Sequence, residues 1–190
     1  SRHFKYFILF PSLFSVCPPP MNRRSEPLPT TTRQWVYTSR PAGEVSENNY
    51  TLQTVELPPL EDGQVLVKAK YISVDPYMRI QQSARNTWEE PHPLNKVQGG
   101  GVVGEVIASK DGSVCVNDVV YVYSGWQEYA VVDAKQVRVL DFDPKYHSYG
   151  ISVLGMPGRT AYFGLLSAGK PKSGETLVVS GAAGAVGSIV

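Results

Sequence analysis

The sequence predicts a β unit that leads into the opening of an α/β unit. Three observations predict it. Over residues 35–140, short apolar strands recur at close spacing with Pro, Gly, Asp and Ser between them, the pattern of a small barrel or a sandwich. From Tyr146 the pattern turns helical, over 148–154 and 157–168. Residues 176–190 then read Thr-Leu-Val-Val-Ser-Gly-Ala-Ala-Gly-Ala-Val-Gly-Ser-Ile-Val. The first four suit a fully buried parallel strand. Tight glycine turn and helix start follow at once, which is how a dinucleotide-binding βαβ unit opens. Strands first and α/β later is a two-domain pattern.

Composition narrows the class. At 190 residues, one or two domains are expected. The apolar fraction of 42% is enough for a core. A net charge of +1 gives no electrostatic case for nucleic acid or an anionic membrane as partner. Cys17 and Cys115 are the only cysteines, too few for a disulfide framework or a four-cysteine zinc site. A reducing, cytoplasmic setting is the default.

Residues 1–33 are expected to be disordered or foreign to the fold. Arg2, His3 and Lys5 precede an apolar run over 6–16, then Pro18, Pro19, Pro20 and Met21. One reading is a signal peptide. The other is translated upstream sequence ahead of a start at Met21. The second is preferred, because no small-residue cleavage site follows and Pro11 interrupts a run already too short to span a bilayer.

Ordered structure is expected from Gln34. Residues 35–37 form a short strand closed by Pro41 and Gly43, and 50–57 alternate well. Residues 64–74 are apolar on both faces, which predicts a central strand. Gly99, Gly100, Gly101 and Gly104 precede and interrupt a further strand, so a bulge or bend is expected there rather than a phosphate loop. Residues 118–123, 127–132 and 137–140 read as three more strands. Pro157 suits a first helical position. Ala161, Leu165 and Ala168 share a face, with Gly169 and Pro171 as the stop.

In the glycine turn, Gly184 stands where a backbone approaches a pyrophosphate held at a helix N-terminus. Gly187 would let the helix pack on its strand. Ala182 takes the place of the first glycine, so the match is A-x-G-x-x-G. A glycine turn of an ordinary α/β protein is the plainer alternative.

Three stretches together resemble one family: Ser73-Val74-Asp75-Pro76-Tyr77-Met78-Arg79, then Leu154 through Leu165 (Leu-Gly-Met-Pro-Gly-Arg-Thr-Ala-Tyr-Phe-Gly-Leu), then Ser180 through Gly187. Their order and spacing resemble the zinc-independent medium-chain dehydrogenase/reductases, in the alkenal/one oxidoreductase branch. The resemblance covers residues 34–190. It implies a GroES-like β-barrel domain over 34–147. Residues 148–190 would then be linker helices and the first strand and glycine loop of an incomplete NADP-binding Rossmann domain. It also implies that the chain is the first half of a longer, homodimeric protein.

The resemblance further implies NADPH as hydride donor and a small α,β-unsaturated ketone or aldehyde as acceptor, with hydride delivered to the β-carbon. Tyr77 is the implied catalytic residue, with a packed barrel tyrosine as the alternative. Pro76 and Tyr77 would contact cofactor. Met156 and Thr160 would lie beneath the nicotinamide, or simply pack a helix start. Gly181, Ala182, Ala183, Gly184, Ala185, Val186 and Gly187 would hold the phosphates. Trp126 would line the substrate cleft, or serve as a core tryptophan.

No metal is expected. Zinc enzymes of the wider superfamily carry a cysteine near 75 and Gly-His-Glu near 100, where this chain has Val74-Asp75-Pro76 and a glycine run. Arg159 departs from the branch, which usually has Leu or Met there. Two other functions stay open: quinone reduction, against which Asp75-Pro76-Tyr77 argues, and a non-catalytic fragment or isoform.

Overall fold

The structure is a computed structural model that describes residues 27–85 and 90–190. In chain order its strands are β1 (Thr31–Tyr37), β2 (Tyr50–Glu56) and β3 (Gln64–Ile72). Helix α1 (Pro76–Gln81) follows. Then come β4 (Lys96–Val97), β5 (Val102–Ser109), β6 (Val119–Val122), β7 (Tyr129–Asp133) and β8 (Arg138–Val139). A 3-10 stretch (Pro144–Ile151) leads to α2 (Met156–Tyr162), which continues as a π-helical stretch (Phe163–Gly169).

β3 is the central strand, as its two apolar faces require. It pairs antiparallel with β5 on one edge and β7 on the other, in a five-stranded sheet ordered β7-β3-β5-β6-β8. Val65, Leu66 and Val67 are all buried. Val65 and Val67 join Val102, Val106, Val120 and Val122 in a valine-rich core. Branched side chains pack well on a pleated surface, which is why valine dominates here. The second sheet places β1 between β2 and β4. β1 also donates from Trp35 N–H to the Trp126 carbonyl at 2.9 Å, and its Arg33 carbonyl accepts from Glu128 N–H at 3.0 Å. These bonds join the two sheets. The strand ladders themselves do not form one closed ring.

The expected bend is where the glycines put it. The β3–β5 register shifts between Ala69 and Tyr71, opposite Gly104 and Val103. A Cβ on Gly104 would come within 2.6 Å of the Lys68 carbonyl oxygen, so only glycine lets the strands approach this closely.

Two expectations need correction. Order begins at Thr31 rather than Gln34, because β1 pairs with β2 along its whole length, from Thr31 opposite Glu56 to Tyr37 opposite Tyr50. The two readings of the first residues fall on 1–26, outside the described residues. The second helical segment ends at Gly169 as expected, with Lys170 (φ 51°) as its left-handed cap. Finally, residues 176–179 form no strand, and 188–190 begin no helix. Leu177 and Val178 are 55% and 87% exposed. A parallel strand needs neighbours on both edges and covering layers on both faces, and no described strand lies beside this one. Among the described residues no helix is long and apolar enough to cross a membrane.

Candidate active site

The site grows from the end of β3. Ser73 donates its backbone N–H to the Gly101 carbonyl at 2.8 Å. Its own carbonyl accepts from Trp126 Nε1 at 3.1 Å. Its hydroxyl donates to the Asp75 carboxylate. Asp75 is extended, and Pro76 then opens α1, where its fixed φ and missing N–H cost nothing. This corner buries Met78 and turns Tyr77 inward.

Tyr77 Oη lies 3.3 Å from Tyr123 Oη. Burial pushes the Tyr77 phenol well above its ordinary pKa, and the hydrogen bond to Tyr123 and the nearby charges of Tyr123, Asp75 and Tyr121 push the same way. At neutral pH Tyr77 is therefore a hydroxyl, able to donate a hydrogen bond and unable to act as a base.

The glycine run beneath these rings has one task per residue. A Cβ on Gly99 would sit 2.7 Å from Tyr123 Oη. One on Gly100 would sit 3.1 Å from Trp126 Nε1, and one on Gly101 3.0 Å from the Tyr121 ring. Gly99 and Gly101 make a floor on which Tyr123 and Tyr121 lie, and Gly100 leaves room for Trp126, which lies outside the cavity.

Above that floor is a cavity of about 490 Å³. Tyr77, Tyr121 and Tyr123 line it from the β unit, with Ser73, Asp75 and Gly101. Ile151, Met156 and Arg159 line it from the helical segment. Among the sequence-predicted site residues, Tyr77 and Met156 meet here. Pro76 is exposed at the start of α1 and does not line it. Thr160 turns away: its hydroxyl donates to the Met156 carbonyl at 2.9 Å. It faces a separate cavity of about 600 Å³ shared with Gly181, Gly184, Val186 and Gly187. Ala182, Ala183 and Ala185 are exposed and line neither cavity.

Trp126 does not line the Tyr77 cavity. Its single N–H is spent on Ser73, and its ring stacks on Tyr50 at 5.6 Å. It opens instead on a third cavity of about 300 Å³, with Trp35 and Ile72. It supports the floor from below. Tyr121, Tyr123 and Arg159 were missed as site residues. A signal existed for the tyrosines: residues two apart along a strand share a face.

The glycine loop is a tight turn. Gly181 has φ 61° and its carbonyl accepts from Gly184 N–H at 2.8 Å. A Cβ on Gly187 would come within 2.4 Å of that same oxygen. A pyrophosphate site needs a helix N-terminus after such a turn, and residues 188–190 form none. Residues 181–187 therefore form a turn with no helix after it. Among the described residues, no group of three or more His, Cys, Asp or Glu is placed to hold a metal ion.

Residues 33–140 match the family described as the N-terminal domain of oxidoreductase. The chain belongs to this family. Its relatives place it in the alkenal/one oxidoreductase branch that its motifs resemble. It is 41% identical over 158 residues to the NADPH-dependent curcumin reductase of Escherichia coli (strain K12), covering 83% of this chain and 46% of the reductase. It is 38% identical over 161 residues to prostaglandin reductase 1 of Bos taurus, covering 83% of this chain and 47% of that protein. The crystal structure of CurA from Vibrio vulnificus in complex with NADPH superposes with a TM-score of 0.75 at 42% identity, over 83% of this chain and 47% of that one. The chain thus spans under half the length of the curated relatives it matches.

Proposed function

We propose that the protein to which this chain belongs reduces the C=C bond of α,β-unsaturated ketones and aldehydes with NADPH, without zinc. The observation that carries this reading is a phenol pair, Tyr77 and Tyr123, hydrogen-bonded in a cavity walled by tyrosine rings and Met156. The oxidoreductase family and the NADPH-dependent relatives support the cofactor.

When bound, NADPH supplies hydride to the β-carbon of the acceptor. The rest falls to the chain. Charge that leaves the C=C bond accumulates on the carbonyl oxygen as an enolate forms. A fixed O–H aimed at that oxygen binds it more tightly as the charge grows, which lowers the barrier. Tyr77 keeps its proton, so it stabilises by hydrogen bonding. The tyrosine rings that line the cavity suit a planar conjugated acceptor. Residues 148–190 serve as linker and as the opening of a Rossmann domain, complete only when 176–179 gains parallel neighbours.

A second reading has its own support. The exposure of Leu177 and Val178 favours a form that cannot bind cofactor by itself. The test is NADPH oxidation by this chain and by a protein carrying it at the length of its relatives, with an enone, a quinone and an alcohol offered in turn. Enone-dependent oxidation by the longer protein supports the reductase. Oxidation with quinone alone would reassign it, and zinc-dependent activity with alcohols alone would overturn it.

A further inference from the structure

We propose that Tyr123 is a positioning residue that acts with Tyr77 as one unit, the two phenols together presenting a single O–H to a carbonyl oxygen in the cavity. This rests on the reductase reading for its substrate and on geometry for the rest.

Two phenols bring two O–H donors to the cavity. Each phenol has one O–H and can accept as well. The two oxygens are 3.3 Å apart, so one hydroxyl donates to the other. Neither makes another hydrogen bond among the described residues. Whichever phenol donates within the pair, one O–H is left over, and both residues line the same cavity. The pair therefore has one free donor with nowhere to point except the cavity or water. A carbonyl satisfies it. A donor already polarised by a second hydroxyl is the stronger one.

The fold fixes Tyr123 for this task. Its backbone lies just past β6, and its side chain is 53% exposed, so packing alone does not hold it. Gly99 does: its missing Cβ leaves the space that Tyr123 Oη occupies. Any larger residue at 99 would move the hydroxyl away from Tyr77 while leaving both phenols in the protein.

The experiment uses this chain labelled with carbon-13 at tyrosine Cζ, with Tyr77 and Tyr123 assigned from Tyr77→Phe and Tyr123→Phe. The probes are cyclohexanone, which has the carbonyl and cannot undergo C=C reduction, and methylenecyclohexane, which has the shape without the oxygen. Cyclohexanone is expected to shift both resonances together. Tyr123→Phe is expected to weaken it about fivefold to tenfold, the size of one hydrogen bond, while methylenecyclohexane is unaffected. Gly99→Ala is expected to give the same loss with both hydroxyls present. A Tyr123→Phe variant that binds both probes like the parent would overturn the pairing. So would a cyclohexanone effect on neither tyrosine. If cyclohexanone binding depends on Tyr123 but no enone is reduced by the longer protein, the pair stands and the reductase reading falls. If enones are reduced equally well in Tyr123→Phe, the pair falls and the reductase reading stands.

Discussion

Trp126 Nε1 donates to the Ser73 carbonyl oxygen at 3.1 Å, and this bond ties the floor of the cavity to the corner that aims Tyr77. Ser73 is buried, so its carbonyl has no water to fall back on. Trp126→Phe keeps most of the ring and removes the donor. It should lower stability by about 1–3 kcal/mol, the cost of an unmet buried acceptor. Urea unfolding measures this, and an unchanged midpoint would show that the tie carries nothing.

Gly158 packs against the turn before α2 so closely that a Cβ would lie 1.7 Å from the Val153 carbonyl oxygen. Backbone cannot move aside as a side chain can. Gly158→Ala should therefore cost about 3 kcal/mol or more and displace Met156 and Arg159 from the cavity wall. Gly164 has nothing within 4 Å of its missing Cβ. Gly164→Ala should be neutral or gain up to about 1 kcal/mol, since alanine loses less freedom in a helix. Thermal unfolding of the two variants side by side checks both.

His92 is held neutral in the fold. Burial lowers its pKa below 6.5, Arg40 adds to that, and the bond from its ring to the Val97 carbonyl at 2.9 Å opposes it only in part. The unfolded chain then binds a proton more readily than the folded one. The stability His92 confers is complete above pH 6.5 and is lost as pH falls through the lower folded value. Urea midpoints should decline below pH 6.5 more steeply in the parent than in His92→Gln. Parallel curves would contradict this.

Much of this arrangement was legible in the sequence. Both apolar faces of 64–74 announced a central strand, and Asp75-Pro76-Tyr77 marked the corner that carries the tyrosine. The parts that were not legible depend on partners distant in the chain. Gly99, Gly100 and Gly101 read as a bend because their purpose, room for Tyr123, Trp126 and Tyr121, exists only once the strands are paired. Trp126 read as a cleft residue because nothing local shows that its one N–H is taken by a carbonyl 53 positions away. Residues 176–179 have the composition of a strand, but a strand is a property of its neighbours as much as of its residues.

That last point has its own test. Amides over 176–179 should exchange with solvent as fast as an open loop, while Val65 to Val67, paired on both edges, should be protected by the global stability. Protection at 177–179 in this chain would mean that the segment has found a partner strand.

The most direct test of the central claim follows the hydride itself. A protein carrying this chain at the length of its relatives is given an enone and NADPH deuterated at the transferring position. A saturated ketone with deuterium on the β-carbon is expected, formed about 100-fold less efficiently when Tyr77→Phe breaks the phenol pair that faces the enolate oxygen. Deuterium on the carbonyl carbon of an allylic alcohol, with Tyr77→Phe as active as the parent, would contradict it.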